Sequence, residues 1–198
     1  MVKKREKIKE NILIVAKQKF AERGYDATNI QDIADEAKVN VAMISYYFGG
    51  KENLYQEVFK TFNASQNIPD FMCIYSNDPT KALEGYLNYI FMHLSNDKEI
   101  GMITYQELLA SNPRLEILRP YIKGVWEQLY TILQEGEKQK AFTFYSLPFT
   151  MHWIGSFLLF PKYEQFLYDV IGENIEVTKN TELIHFIVSF LKNPSSKK

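Results

Sequence analysis

The side chains that usually carry catalysis are sparse and scattered in this 198-residue chain. Three histidines, His93, His152 and His185, lie far apart, and no two of them stand at i and i+3 or i+4, as a helical metal site requires. The single cysteine, Cys73, has no histidine near it in sequence to activate it. There is no glycine-rich phosphate loop and no nucleophile elbow. The sequence therefore reads as a non-enzyme with no metal site and no cofactor. What remains is charge. Residues 1–20 carry seven Lys/Arg (Lys3, Lys4, Arg5, Lys7, Lys9, Lys17, Lys19) against Glu6 and Glu10, a net +5 in a chain whose total is −1. A basic end on an acidic remainder is the pattern of a polyanion-binding module joined to a body that does not bind polyanions.

Those cations need a scaffold, and its periodicity is helical. Ile8, Ile12, Ala16 and Phe20 recur every four residues, and Gly24 follows where a helix C-terminal glycine belongs. Thr28 is an expected N-cap, with Gln31 three residues on to complete a capping box. A short helix with Ile33 and Ala34 inward follows, then the break Lys38-Val39-Asn40. Asn40 can cap a third helix from Val41 to about Tyr47. Gly49-Gly50 ends it, and Lys51-Glu52 opens a longer helix with Leu54, Val58 and Phe62 on one face. The pattern weakens between about Asn63 and Pro79. Asp78-Pro79 is an expected N-cap and N1 pair. Long helices then carry Leu83, Leu87 and Ile90, then Ile100 and Ile103, then Leu115 to Leu133. Pro120 should kink that last run or mark its true start. No segment alternates like a strand, so the expected fold is all-α.

Two short helices around a tight turn, packed on a preceding helix, follow the helix-turn-helix plan. Ile33, Ala34, Val39, Ile44 and Phe48 are placed to lock the pair inward, and Asn40, Val41, Ala42, Ser45 and Tyr46 to face outward. Over residues 8–60 the sequence resembles the DNA-binding domain of the TetR family of regulators. The matching positions are Ile12-Leu13, Ala16, Phe20, Gly24-Tyr25, Thr28, Ile33-Ala34, Val39, Ile44, Tyr46, Phe48 and Lys51-Glu52 before Leu54. The resemblance implies an N-terminal three-helix helix-turn-helix domain (1–50), a connecting helix (51–66) and a helical ligand-binding and dimerisation domain (67–198).

It also implies roles for particular side chains. Thr28, Tyr46, Tyr47 and Lys51 become phosphate contacts, Lys51 acting with the N-terminus of the helix it opens. Asn40, Val41, Ala42 and Ser45, with Gln31, lie nearest the bases. Val41 and Ala42 suit thymine methyls, and Asn40 or Gln31 suits adenine. Lys3, Lys4 and Arg5 form an arm along phosphate or the minor groove. Two positions depart from the family pattern. Lys38 replaces the turn glycine, at a cost of about 1 kcal/mol if its φ is positive, and Ser45 replaces a common tyrosine. The reading helix has no Arg or Lys, so bidentate recognition of guanine is not expected from it.

Beyond the reader, residues 147–160 are apolar on nearly every side, and with 180–192 they are the expected homodimer interface. Aromatic residues make up 15% of the chain. An apolar pocket with a few polar anchors is expected from Tyr86, Tyr89, Met102, Tyr105, Gln106, Trp126, Tyr130, Phe149, His152 and Trp153. The partners expected are double-stranded DNA, a second copy of the chain and a small apolar or aromatic effector. A membrane is excluded, since no run approaches the roughly 18 apolar residues of a span. A cytoplasmic location fits the lone cysteine and the absence of a signal-peptide pattern at the basic start. The expected function is a ligand-released repressor acting on a palindromic operator. A second class also fits the sequence: a helical dimeric module that sequesters a ligand or protein, with a weakened DNA reader.

Overall fold

Apolar residues spaced by four commit the first segment to a helix, and the computed structural model forms it as α1, Val2–Ala27. The structure describes residues 2–62, 68–110, 113–159, 168–172 and 179–192. Ile12, Ala16 and Phe20 are fully buried, and Gly24 (φ 76°, ψ 169°) breaks the helical path before one further turn. That backbone geometry is open to glycine and rarely to residues with a Cβ. α2 (Ile30–Ala37), α3 (Val41–Phe48) and α4 (Lys51–Phe62) follow. Beyond them come a short α5 (Phe71–Ile74), α6 (Pro79–Asn96), α7 (Lys98–Ala110), α8 (Leu115–Lys138), α9 (Leu147–Leu159) and α10 (Asn180–Leu191). Among the described residues the only extended pairing is an isolated bridge, Phe142 to Lys192. The fold is all-α, and no described helix is long and apolar enough to cross a membrane.

The chain divides into two compact units. The first joins residues 1–67 to 96–123. In it α1 packs on α2, α4 and α7 around Ile12, Phe20, Ile33, Ile44, Leu54, Val58, Ile103 and Leu118. The connecting helix and part of the region read from sequence as body therefore share a core with the first fifty residues. The cause is that α1 buries more apolar surface than two short helices can cover, and α4 and α7 supply the rest.

Capping differs in one place from the sequence expectation. Asn29, not Thr28, caps α2, accepting from the Gln31 amide at 2.8 Å. Thr28 is turned inward instead. Asp78 caps α6 as expected, its Oδ1 accepting from the amides of Thr80 and Lys81 at 3.0 and 3.1 Å. α8 begins at Leu115 and runs through Pro120, which withholds a single backbone donor early in a long helix. Helix α5, unforeseen in the weak stretch, is capped by Asp70 and buries Phe71 and Met72.

The second unit joins residues 68–95 to 124–198. Leu83, Tyr86, Leu87, Leu129, Leu133, Ile154, Ile187 and Leu191 form its core. Gly136 on α8 lies directly under the buried Phe142 ring, and a Cβ there would stand 2.0 Å from it. Gly136→Ala is therefore expected to destabilise the protein by about 1–3 kcal/mol, although alanine is the better helix former. Thermal denaturation checks this, and an unchanged or raised Tm contradicts it. On α9 and α10 the Trp153 ring lies 5.3 Å from Phe157 and 5.0 Å from Phe190. Phe186 and Phe190 are 50% and 65% exposed, so an aromatic cluster stands open at this surface.

Candidate nucleic-acid interface

The α2–α3 turn is built by backbone geometry that the sequence makes costly. Lys38 caps α2 in the left-handed region (φ 56°, ψ 44°), and the Val39 amide returns to the Ala34 carbonyl at 2.9 Å. A side chain in that region costs about 1–2 kcal/mol relative to glycine. Lys38→Gly is thus expected to raise stability by about 1 kcal/mol, read as a higher denaturation midpoint. A lower midpoint would show that the lysine side chain holds the turn.

Asn40 caps α3 by accepting from the Ala42 amide at 2.8 Å. Gly49 (φ 77°) closes it, its amide bonding the Ser45 carbonyl at 2.8 Å. Inside, Ile44 and Phe48 are buried, and Val39 packs against the same core. Outside, Asn40, Ala42 and Ser45 are exposed, and Tyr46 is 74% exposed. Val41 and Tyr47 are half-buried and lean on the core. Gln31 is exposed on α2, with its amide nitrogen donating to Asp35 Oδ1 at 2.7 Å. The outward face of α3 is thus a small, uncharged surface of amide, hydroxyl and methyl groups, the kind that reads base edges in a major groove.

Thr28 is placed otherwise. It is 1% exposed, and its hydroxyl lies 2.7 Å from the Gly24 carbonyl and 3.1 Å from that of Lys19. Its hydroxyl serves the turn after α1 and is not presented to solvent. The basic surplus of α1 is also partly engaged within the fold. Lys9 pairs with Glu57 at 3.3 Å, Lys17 with Asp97 at 2.7 Å, and Lys19 with Glu36. Lys4 and Arg5 are exposed at the start of α1, and the Lys3 side chain lies outside the described residues.

Lys51 sits in a network that the sequence did not reveal. Its Nζ lies 4.4 Å from the centre of the Tyr25 ring and donates to the Asp26 carbonyl at 3.4 Å. The Arg114 guanidinium lies 4.5 Å from the same ring centre. Arg114 donates both terminal nitrogens to the Asp26 carboxylate, at 3.1 and 2.7 Å, and its Nε to Glu107 at 3.2 Å. Glu107 also accepts from the Tyr55 hydroxyl at 3.0 Å. Burial lowers the Lys51 pKa below its ordinary value; the Asp26 charge opposes that shift and Arg114 adds to it. Burial, reinforced by the Glu107 carboxylate, holds the Tyr55 hydroxyl well above the usual phenol range.

The ten residues expected to line an effector pocket do not gather in one unit. Met102, Tyr105 and Gln106 belong to the first, where the Gln106 amide nitrogen donates to the Ala21 carbonyl at 2.9 Å. The other seven belong to the second. There Tyr86 is buried with its hydroxyl on the Val125 carbonyl at 3.2 Å, and Tyr89 stacks on His93 with ring centres 3.9 Å apart. Trp126 packs over Gly155, Trp153 joins the open aromatic cluster, and Tyr130, Phe149 and His152 are exposed.

Comparison with known proteins agrees with this geometry. Residues 12–58 match the family model described as bacterial regulatory proteins, tetR family. The chain is 30% identical to the probable HTH-type transcriptional regulator YttP of Bacillus subtilis, over 77% of this chain and 76% of that protein. The chain belongs to the TetR family. It is thus a DNA-binding transcriptional regulator with an N-terminal helix-turn-helix and a helical C-terminal region. Among solved structures of the family, HlyIIR, a hemolysin II transcriptional regulator, matches with a TM-score of 0.84 and 46% identity, over 96% of this chain and 99% of that one. IcaR of Staphylococcus epidermidis, the negative regulator of the biofilm operon icaADBC, is 26% identical over 65% of this chain and 66% of its own.

Proposed function

We propose that this TetR-family chain is a cytoplasmic repressor that binds a palindromic operator as a homodimer and is released by a small apolar or aromatic effector. The observation that carries the reading is the outward face of α3, an exposed set of Asn40, Ala42, Ser45 and Tyr46 held on a buried Ile44–Phe48 ridge. In this reading Gln31, Asn40, Val41, Ala42 and Ser45 meet base edges. Tyr46, Tyr47 and Lys51 hold phosphate, and Lys4 and Arg5, in the first turn of α1 and so not an extended arm, add phosphate contacts from the helix start. In this reading the helix-turn-helix within residues 1–50 is the reader, α4 connects it to the rest of the chain, and sensing and dimerisation fall to the second unit.

A palindromic operator would be read by two copies, whose recognition helices about 34–36 Å apart enter successive major grooves. The open aromatic cluster of Trp153, Phe157, Phe186 and Phe190 is the surface that pairing would cover. The aromatic-rich second unit, with Tyr86 and Trp126 inside it, supports an apolar effector. Release is a population shift. An effector that lowers occupancy about a hundredfold must favour the non-binding state by roughly 2.7 kcal/mol. The negative regulator IcaR, a relative over 66% of its length, supports repression.

The test is fluorescence anisotropy with DNA from immediately upstream of the protein's own gene, beside a scrambled duplex, at two salt concentrations. Tight, saturable and salt-sensitive binding to the native segment alone is expected. Equal weak binding to both duplexes, with no salt slope, contradicts the reading. On the bound segment, Tyr46→Phe is expected to weaken all duplexes alike, because a phosphate contact carries no sequence information. A loss confined to some sequences would place the Tyr46 hydroxyl at a base.

A further inference from the structure

Arg114 stands where the α7–α8 junction meets the end of α1, inside the first unit. Its guanidinium makes a fork with the Asp26 carboxylate on one side and donates to the buried Glu107 on the other. Glu107 is itself anchored to Tyr55 of α4. The arginine side chain is mostly buried, and the planar fork fixes its position as a single ammonium group would not. The Tyr25 ring, held by Phe20 and Tyr55 at 5.9 and 4.9 Å, takes both Arg114 and Lys51 at cation–π distance. The Asp26 carbonyl that Lys51 donates to belongs to the residue whose carboxylate Arg114 grips. The place of the Lys51 ammonium is therefore set by groups that Arg114 holds.

We propose that Arg114 is a positioning residue for DNA binding: through Asp26 and Tyr25 it holds Lys51 where it meets a backbone phosphate. The inference rests on the reading of Lys51 as a phosphate contact. It also gives the α8 start a role in DNA affinity, because moving Arg114 moves the support of Lys51. Arg114 touches no DNA in this account; its effect passes through Lys51.

The experiment is a double-mutant cycle on DNA binding, using a mixed-sequence duplex at low salt so that phosphate contacts dominate. Lys51→Ala is expected to weaken binding about tenfold and to shallow the slope of log K against log salt by about 0.9 per lost phosphate contact. Arg114→Lys keeps a positive charge beside Glu107 but loses the fork. It is expected to give a similar fold loss and the same change in slope, with helicity and cooperative melting retained. The double variant is expected to fall no further than Lys51→Ala alone. If Arg114→Lys does not fold, Glu107→Gln with Arg114→Gln removes the buried charges together and serves in its place.

Lys51→Ala binding as tightly as wild type would sink the phosphate reading and the inference with it. Loss with Lys51→Ala but none with Arg114→Lys or its substitute overturns the inference alone. Additive losses in the double variant also overturn it, because Arg114 would then act by a route that bypasses Lys51.

Discussion

Replacing Glu107 with alanine is expected to cost about 3–5 kcal/mol of stability. The carboxylate is almost wholly buried and is shared by Arg114 and the Tyr55 hydroxyl. Removing it deprives the Tyr55 hydroxyl and the Arg114 Nε of their buried acceptor while Asp26 still holds the terminal guanidinium nitrogens, and one-sided truncation of a buried pair is among the most damaging changes known. Glu107→Gln keeps an acceptor for Tyr55 and loses only the charge, so a smaller fall is expected, about 1–3 kcal/mol. Thermal melting followed by circular dichroism ranks the two. The alanine variant should lose roughly 10 °C in Tm or more, and the glutamine variant clearly less. Equal Tm values would show that the Tyr55 hydrogen bond contributes nothing.

In the proposed dimer, Phe190→Glu is expected to abolish pairing. Phe190 is largely exposed in the single chain, so the substitution leaves the fold intact. In a two-fold pairing through α9 and α10 each change occurs twice, and two buried like charges face one another across the axis. A loss of about 2 kcal/mol per copy amounts to about 4 kcal/mol, or roughly a thousandfold in the dissociation constant. Sedimentation velocity reads the change directly. DNA affinity should fall with it, because a lone reader holds only one half-site. A variant that sediments as wild type would place the interface elsewhere.

Much of the reader was legible because its signals are local. Ile12, Ala16 and Phe20 announce one apolar face, Gly24 and Gly49 supply positive φ, and Asn40 caps by reaching its own neighbour. Lys38 was legible as a departure from the family pattern, and its φ of 56° places that departure in the left-handed region. The N-cap of α2 was misread by one residue. Thr28 and Asn29 are both competent caps, and only the buried carbonyls of Lys19 and Gly24 decide that the threonine turns inward.

Charge was legible as a total but not as a destination. Lys9, Lys17 and Lys19 find carboxylates that lie 48, 80 and 17 positions away in sequence, so the basic end is less free than its composition suggests. Arg114 carried no signal at all, for its partners Asp26 and Glu107 meet only when α7 packs against α1. The expected pocket residues divide between the two units for a related reason. Helical spacing marks one face of each helix, but not which compact unit that helix joins or whether the face is covered, and Tyr130, Phe149 and His152 are exposed.

Recognition of a two-fold operator is tested by a hydroxyl-radical footprint on duplexes that the protein itself enriches from a random pool. Two protected patches are expected on one face of the duplex, related by two-fold symmetry and centred about one helical turn apart or a multiple of it. Enriched sequences should be palindromic, with A·T pairs where Val41 and Ala42 meet thymine methyls. A pool that enriches nothing, or a footprint without two-fold symmetry, would contradict that recognition.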